Sequence, residues 1–324
     1  MENGGWLMDD EGEGYPPSSI LHPRLLLLAG PTAVGKSEIA LRLAAEVGGE
    51  IVSADSMQVY RGMDVGTGKP SGQDRARVPH HLIDVVEVTE PFDAAQFVSR
   101  ARQAVAEIQS RGRVPILCGG TGLYLKAFLQ GLGEAPPADA ALRAVLEATP
   151  LPELLQELAA RDPATYERID RQNPRRVIRA VEVIRLTGKP FSAQRASWDH
   201  AADATGPSAN CFGLARGAAD LQQRIAARVE GMFRRGWVAE TEQLLQRGLA
   251  GNRTAMQALG YRQIVEHLRG ERSLPETIEL VKVRTRQFAK RQMTWFRRQM
   301  ALNWIELAPE DRAEAIAGRI AGGS

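Results

Sequence analysis

Cysteine is scarce in this chain. Cys118 and Cys211 are the only two in 324 residues, too few for a disulfide framework or a Cys-rich zinc module. They read as free thiols of a reducing cytoplasm. Long apolar runs are missing too: Leu25–Ala29 is far shorter than the roughly 20 residues a membrane span needs, so no membrane partner is expected. The first 22 residues carry Glu2, Asp9, Asp10, Glu11 and Glu13 and no Lys or Arg, the wrong sign for a secretion signal. They read as a loose leader outside the fold. Residues 281–300 lack the opposite sign, holding Lys282, Arg284, Arg286, Lys290, Arg291, Arg297 and Arg298 with no acid. A net charge of +2 conceals this asymmetry. Such a basic segment is either a solvated helix or a grip for phosphates.

What is present fits an α/β enzyme. Leu25–Ala29 suits a buried parallel strand ending in a glycine-rich turn. Ile39, Leu43 and Val47 then recur at helical spacing. A strand at Ile51–Ser53, a helix through Phe97, Ala101, Val105 and Ile108, and a strand at Val114–Cys118 continue the alternation, which predicts a right-handed parallel sheet flanked by helices. From Pro136 to about Thr205 only helical patterns occur, broken by Pro150, Pro152, Pro163 and Pro174, before strand-like segments return at Cys211–Ala215 and Asn303–Leu307. The predicted organisation is an α/β core at 23–131 and 206–324 with an all-helical insertion at 132–205.

Gly30-Pro31-Thr32-Ala33-Val34-Gly35-Lys36-Ser37 fits the P-loop pattern. Its glycines permit a tight loop whose N–H groups face a polyphosphate, and the helix beginning near Lys36 adds the positive end of its dipole. Lys36 would neutralise terminal phosphate charge and Ser37 would ligate Mg²⁺. The loop specifies a diphosphate or longer chain, not a nucleotide as such. Asp55 follows the second strand, on the side of a parallel sheet where ligands bind. It is a candidate base or metal ligand, and equally a turn or N-cap residue. Gly119-Gly120-Thr121-Gly122 is too glycine-rich for ordinary capping and lacks the Asp of a Walker-B strand.

These segments together resemble one family. GPTAVGKS, ADSMQVYRGMDVGTGKP, PHHLIDV, CGGTGLYLKA, Asn173 to Ala180, Ala258 to Arg262 and Thr285 to Arg297 are similar, in order and spacing, to the tRNA dimethylallyltransferases (tRNA isopentenyltransferases). The resemblance spans about residues 24–307. With no cysteine after Cys211, the chain lacks the C-terminal zinc finger of many eukaryotic members and looks bacterial in type.

The resemblance implies transfer of a dimethylallyl group from dimethylallyl diphosphate to N6 of the adenosine 3′ of the anticodon. It implies that the P-loop holds the leaving diphosphate, with Thr32, Lys36 and Arg224 assisting and Mg²⁺ on Ser37. Asp55 becomes the base, favoured over metal ligand. Ser56, Met57, Gln58 and Thr121 become contacts to the extruded adenine, Thr121 also being a candidate helix cap. Further tRNA contacts implied are Arg143, Gln172, Asn173, Pro174, Arg175 and Arg176, then Gln257, Gly260, Tyr261 and Arg262, then Lys290, Arg291 and Gln292. Arg179 is a phosphate candidate and Arg228 could reach the diphosphate beside Arg224. The expected partners are the tRNA anticodon stem-loop and the prenyl donor, with the chain acting as a monomer.

Several readings of the residues compete with these roles. At about 100° per residue, Arg284, Arg291 and Arg298 form one stripe, and Lys282, Arg286, Lys290 and Arg297 another, nearly opposite, so both cannot face one RNA. Tyr261 and Trp295 are residue types more common in cores than as stacking platforms. His80-His81 would point to opposite faces of a strand without a third ligand, and reads as structural. A P-loop kinase for a small metabolite is the rival enzyme, and a non-catalytic RNA-binding module the rival of another class.

Overall fold

The computed structural model describes residues 25–194, 196 and 208–322; the expected leader at 1–22 and the expected junction near 205 lie outside the described residues. β1 (Leu26–Ala29) sends alternate side chains to opposite faces, as the two-residue period of a strand requires. α1 (Lys36–Val47) follows the P-loop and ends at Gly48, whose φ of 64° lets its N–H reach the Ala44 carbonyl. Next come β2 (Gly49–Ser53), α2 (Gly72–Arg77), the short β3 (His80–His81), α3 (Ala94–Ser110), β4 (Val114–Gly119) and α4 (Gly122–Gln130). α3 opens on a capping box in which Asp93 and Gln96 each accept a backbone N–H of the other's end.

The regular elements that follow are helical: α5 (Ala140–Ala148), α6 (Leu151–Arg161), α7 (Pro163–Arg168), α8 (Pro174–Thr187) and a 3₁₀ turn at Phe191–Ala193. The prolines that interrupt the sequence pattern mark helix starts. Pro163 and Pro174 take the first position of α7 and α8, while Asp162 and Asn173 cap them. These helices have a core of their own, built from Leu146, Leu154, Leu158, Val177, Val181 and Ile184.

The chain then returns through β5 (Cys211–Arg216), α9 (Ala218–Arg234), α10 (Trp237–Gln246), α11 (Tyr261–Leu268), α12 (Leu274–Gln299), β6 (Asn303–Leu307) and α13 (Ala313–Gly322). All pairings are parallel, in the order β3-β2-β4-β1-β5-β6. Leu26 and Leu28 pack with Ile39 and Leu43 of α1 and Ile316 and Ile320 of α13 on one face. Leu25, Leu27 and Ala29 pack on the other with Phe97, Leu125, Ile225 and Phe296. The predicted P-loop α/β fold is the observed one. The register sets Ala29 opposite Gly119 and Ser53 opposite Cys118. The P-loop, the Asp55 turn and the Gly120-Thr121 turn therefore leave the sheet side by side.

Candidate active site

The P-loop takes its shape from backbone torsions ordinary residues avoid: φ is 153° at Gly30 and 114° at Gly35, and even Ala33 sits at 65°. Two arginines hold the loop's outer carbonyls. Arg224 Nε donates to Ala33 O at 3.0 Å and Arg216 Nε to Val34 O at 2.8 Å. Lys36 Nζ donates to the carbonyls of Gly30 at 2.9 Å and Pro31 at 2.8 Å. Burial pushes the Lys36 pKa down from 10.5 to about 8, against the opposing attraction of Cys118 and Asp55. Burial likewise raises the Cys118 thiol to about 11, so it is a small buried residue without thiolate reactivity.

Asp55 Oδ1 accepts the Met57 N–H at 2.9 Å, closing the local turn that Asp favours. Thr121 secures the same turn from the next strand end: its hydroxyl oxygen accepts the Ser56 N–H at 3.0 Å and its own N–H donates to Ala54 O at 3.2 Å. It makes no side-chain cap to α4. The glycines beside it serve close approach. A Cβ on Gly119 would lie 2.1 Å from Ala54 O, and one on Gly120 would meet the Gln292 carboxamide at 2.6 Å.

One cavity of about 1080 Å³ joins these parts. Thr32, Gly35, Lys36, Ser37, Asp55, Ser56, Met57, Gln58, Thr121, Arg224, Gln257, Arg291 and Gln292 all line it. Arg228 lines it too, its pKa lowered by burial while the Asp55 charge acts to raise it. A loop at 64–68 forms another wall. It is ordered by Glu240, which accepts the N–H groups of Asp64, Val65 and Gly66 at 3.0, 2.6 and 3.2 Å and the Tyr261 hydroxyl at 2.7 Å. Sequence reasoning did not find Glu240 or Arg216; each works by gripping backbone, which leaves no motif.

Several expected contacts are otherwise engaged. Tyr261 is fully buried with its hydroxyl on Glu240, and Gly260 is buried against Trp237, so neither presents a surface to RNA. Gln58 accepts from Ser53 at 2.8 Å and donates to the 67–68 carbonyls, a structural use of its amide. Gln292 bridges Thr32 N–H and Gly120 O. Arg143 and Arg179 both pair with the fully buried Glu182 at 2.7 Å, neutralising a carboxylate that burial would otherwise make costly. Neither guanidinium is a free phosphate grip.

Gln172, Pro174, Arg175, Arg176 and Arg262 are exposed, and Asn173 is half-buried, its side chain capping α8. Arg175 donates to Gln257, joining α8 to the core side of the cavity. On α12 two members of one stripe are paired with acids, while Lys290 of that stripe shares a groove with the other. Lys282 is buried between Glu230 and Glu279 at 2.7 Å each, and Arg297 faces Glu306 at 3.5 Å. Arg284, Arg291 and Arg298 are exposed. Arg291 and Arg298 flank a groove of about 550 Å³ with Lys290 and Trp295 beside the main cavity. His80 bonds the Val78 carbonyl and His81 the Glu50 carboxylate, both at 2.7 Å. No helix among the described residues is long and apolar enough to cross a membrane.

The family model described as IPP transferase matches residues 58–299. The chain belongs to the IPP transferase family. Among its relatives, tRNA dimethylallyltransferase 1 of Trichlorobacter lovleyi is 46% identical over 297 residues, covering 90% of this chain and 96% of the relative. The tRNA dimethylallyltransferase of Pelotomaculum thermopropionicum is 44% identical over 303 residues, covering 92% and 95%. The solved tRNA isopentenylpyrophosphate transferase of Bacillus halodurans superposes with a TM-score of 0.66 at 37% identity, covering 93% of this chain and 97% of that one. A eukaryotic dimethylallyltransferase acting on tRNA gives 0.73 at 26% identity, covering 92% and 77%. In this IPP transferase the P-loop and Asp55 precede the matched segment at 58–299, while the groove residues of α12 lie within it.

Proposed function

We propose that this IPP transferase moves the dimethylallyl group of dimethylallyl diphosphate to N6 of the adenosine just 3′ of the anticodon of tRNA, position 37, giving N6-dimethylallyladenosine and diphosphate. The observation that carries this reading is the single cavity whose wall holds both the P-loop and the Asp55 carboxylate. It adjoins a basic, Trp-bearing groove where RNA can lie.

The steps follow from those positions. The donor's diphosphate sits in the P-loop, where inward N–H groups and Lys36 stabilise the charge that grows as the C–O bond breaks. An anticodon-loop base is already unpaired, so turning adenine into the cavity costs little. N6 attacks the freed allylic carbon, a C–N bond forms, and the N6 proton passes to Asp55. Arg228 and Lys36 place positive charge near that carboxylate, on the same cavity wall.

Among the described residues there is no cluster of three or more His, Cys, Asp or Glu. A cation here would be held by the Ser37 hydroxyl, at the cavity wall in the first turn of α1, together with donor oxygens and water. That sparse oxygen set fits Mg²⁺, which when bound neutralises diphosphate charge. Buried Cys118 and Cys211 are free thiols, which suits a reducing cytoplasm. The test incubates the chain with labelled dimethylallyl diphosphate and unmodified tRNA. Label on the tRNA supports the proposal; ATP hydrolysis without transfer supports a small-molecule kinase instead.

A further inference from the structure

Resting on that reading, we propose that Met232 and Trp237 form the end wall that limits the donor to a five-carbon chain. Helix α9 runs along the cavity as a ruler. Arg224, Arg228 and Met232 are four residues apart and share one helix face, and all three line the cavity. Arg224 touches the P-loop at Ala33 O. Arg228, one turn on, reaches the Thr67 carbonyl at 3.5 Å. Met232, a further turn on, replaces charge with thioether. Eight residues of helix advance about 12 Å, roughly the length of an extended dimethylallyl diphosphate. The lining therefore changes from cationic at the phosphate end to apolar where the hydrocarbon tail finishes.

The end wall is of unequal stiffness. Trp237 is 1% exposed and wedged in place: its ring packs on Phe233 at 5.2 Å and Tyr261 at 5.5 Å between centroids. A Cβ on Gly66 would come within 2.0 Å of the indole nitrogen, so the 64–68 loop closes over the ring without spare room. Met232, 4% exposed, is flexible and unbranched. It is the side chain whose trimming opens space without collapsing the aromatic wall.

The test offers dimethylallyl and geranyl diphosphates together with unmodified tRNA and weighs the modified nucleoside by mass spectrometry. Met232→Ala is expected to raise the ratio of ten-carbon to five-carbon transfer roughly tenfold or more, the scale on which apolar pockets discriminate methylenes. Met232→Phe is expected to raise KM for dimethylallyl diphosphate while leaving KM for tRNA unchanged, a split that general destabilisation does not produce. A ten-to-five-carbon ratio in soluble Met232→Ala within twofold of the parent overturns the length limit. If that variant does not fold, an unchanged donor KM in Met232→Phe overturns it. Absence of five-carbon transfer by the unaltered chain contradicts the function itself, a distinct failure.

Discussion

Gln292, deep in α12, accepts the backbone N–H of Thr32 at 2.9 Å and thereby ties the P-loop to a helix 260 residues away in sequence. Its amide nitrogen donates to Gly120 O at 2.8 Å, so one carboxamide clamps two of the three strand-end turns that make the cavity. Removing it in Gln292→Ala loses two hydrogen bonds of about 1 kcal/mol net each. Urea denaturation should show a loss of about 1–3 kcal/mol. Donor KM should rise several-fold while tRNA affinity stays near that of the parent. Unchanged donor KM would refute the clamp.

Lys36 gives a pH dependence of defined sign. Burial lowers its folded-state pKa from 10.5 to about 8. Below about 8 both folded and unfolded chains hold the proton, and the folded chain bears the burial cost in full. Between about 8 and 10.5 the unfolded chain binds more protons, so this residue's contribution to stability improves as pH rises. A bound diphosphate reverses the preference by stabilising the ammonium. KM for the donor should therefore climb above about pH 8, and Lys36→Met should flatten the profile. Initial rates between pH 7 and 9.5 check this.

Glu240 predicts a structural loss read out at the donor. In Glu240→Ala, three backbone N–H groups and the Tyr261 hydroxyl lose their shared acceptor. A cost of about 3 kcal/mol or more is expected, visible as a lower Tm, with a raised donor KM from the loosened 64–68 wall. Glu240→Gln, which keeps one acceptor oxygen, should fall between.

Arg291 and Arg298 lie exposed along the α12 groove, with no acid among the described residues paired to either as Glu230 and Glu279 are to Lys282. Replacing either with Ala should weaken tRNA binding more at low salt than at high salt. The slope of log Kd against log salt should fall by about one unit per arginine that meets a phosphate. Lys282→Ala should instead lower stability and leave that slope alone.

The core was legible where physical cause is local. The Leu25–Ala29 run, the P-loop glycines and the i, i+4 stripe of α1 each carry their structure within a few residues. So do Asn173 and Pro174, which start α8 as cap and first turn. What stayed hidden is non-local. No local motif shows that Ile316 and Ile320 of α13 cover α1. Tyr261 and Gln292 sat in segments implied to meet RNA, and the fold turns both inward. No pattern along the chain shows that Gln292 reaches Thr32, or that Glu182 takes Arg143 and Arg179 out of circulation. The two basic stripes of α12 were separable by helical period, but only the fold shows that Glu230, Glu279 and Glu306 engage Lys282 and Arg297 while Lys290 of the same stripe stays in the groove.

The most direct measurement concerns Asp55. Single-turnover transfer of labelled dimethylallyl to unmodified tRNA, compared for the parent chain and Asp55→Ala at equal saturation, isolates proton acceptance from binding. The rate should fall by roughly 10²–10⁴ with Kd for tRNA nearly unchanged. A variant that transfers at the parental rate but binds tRNA poorly would contradict the assignment of Asp55 as the base.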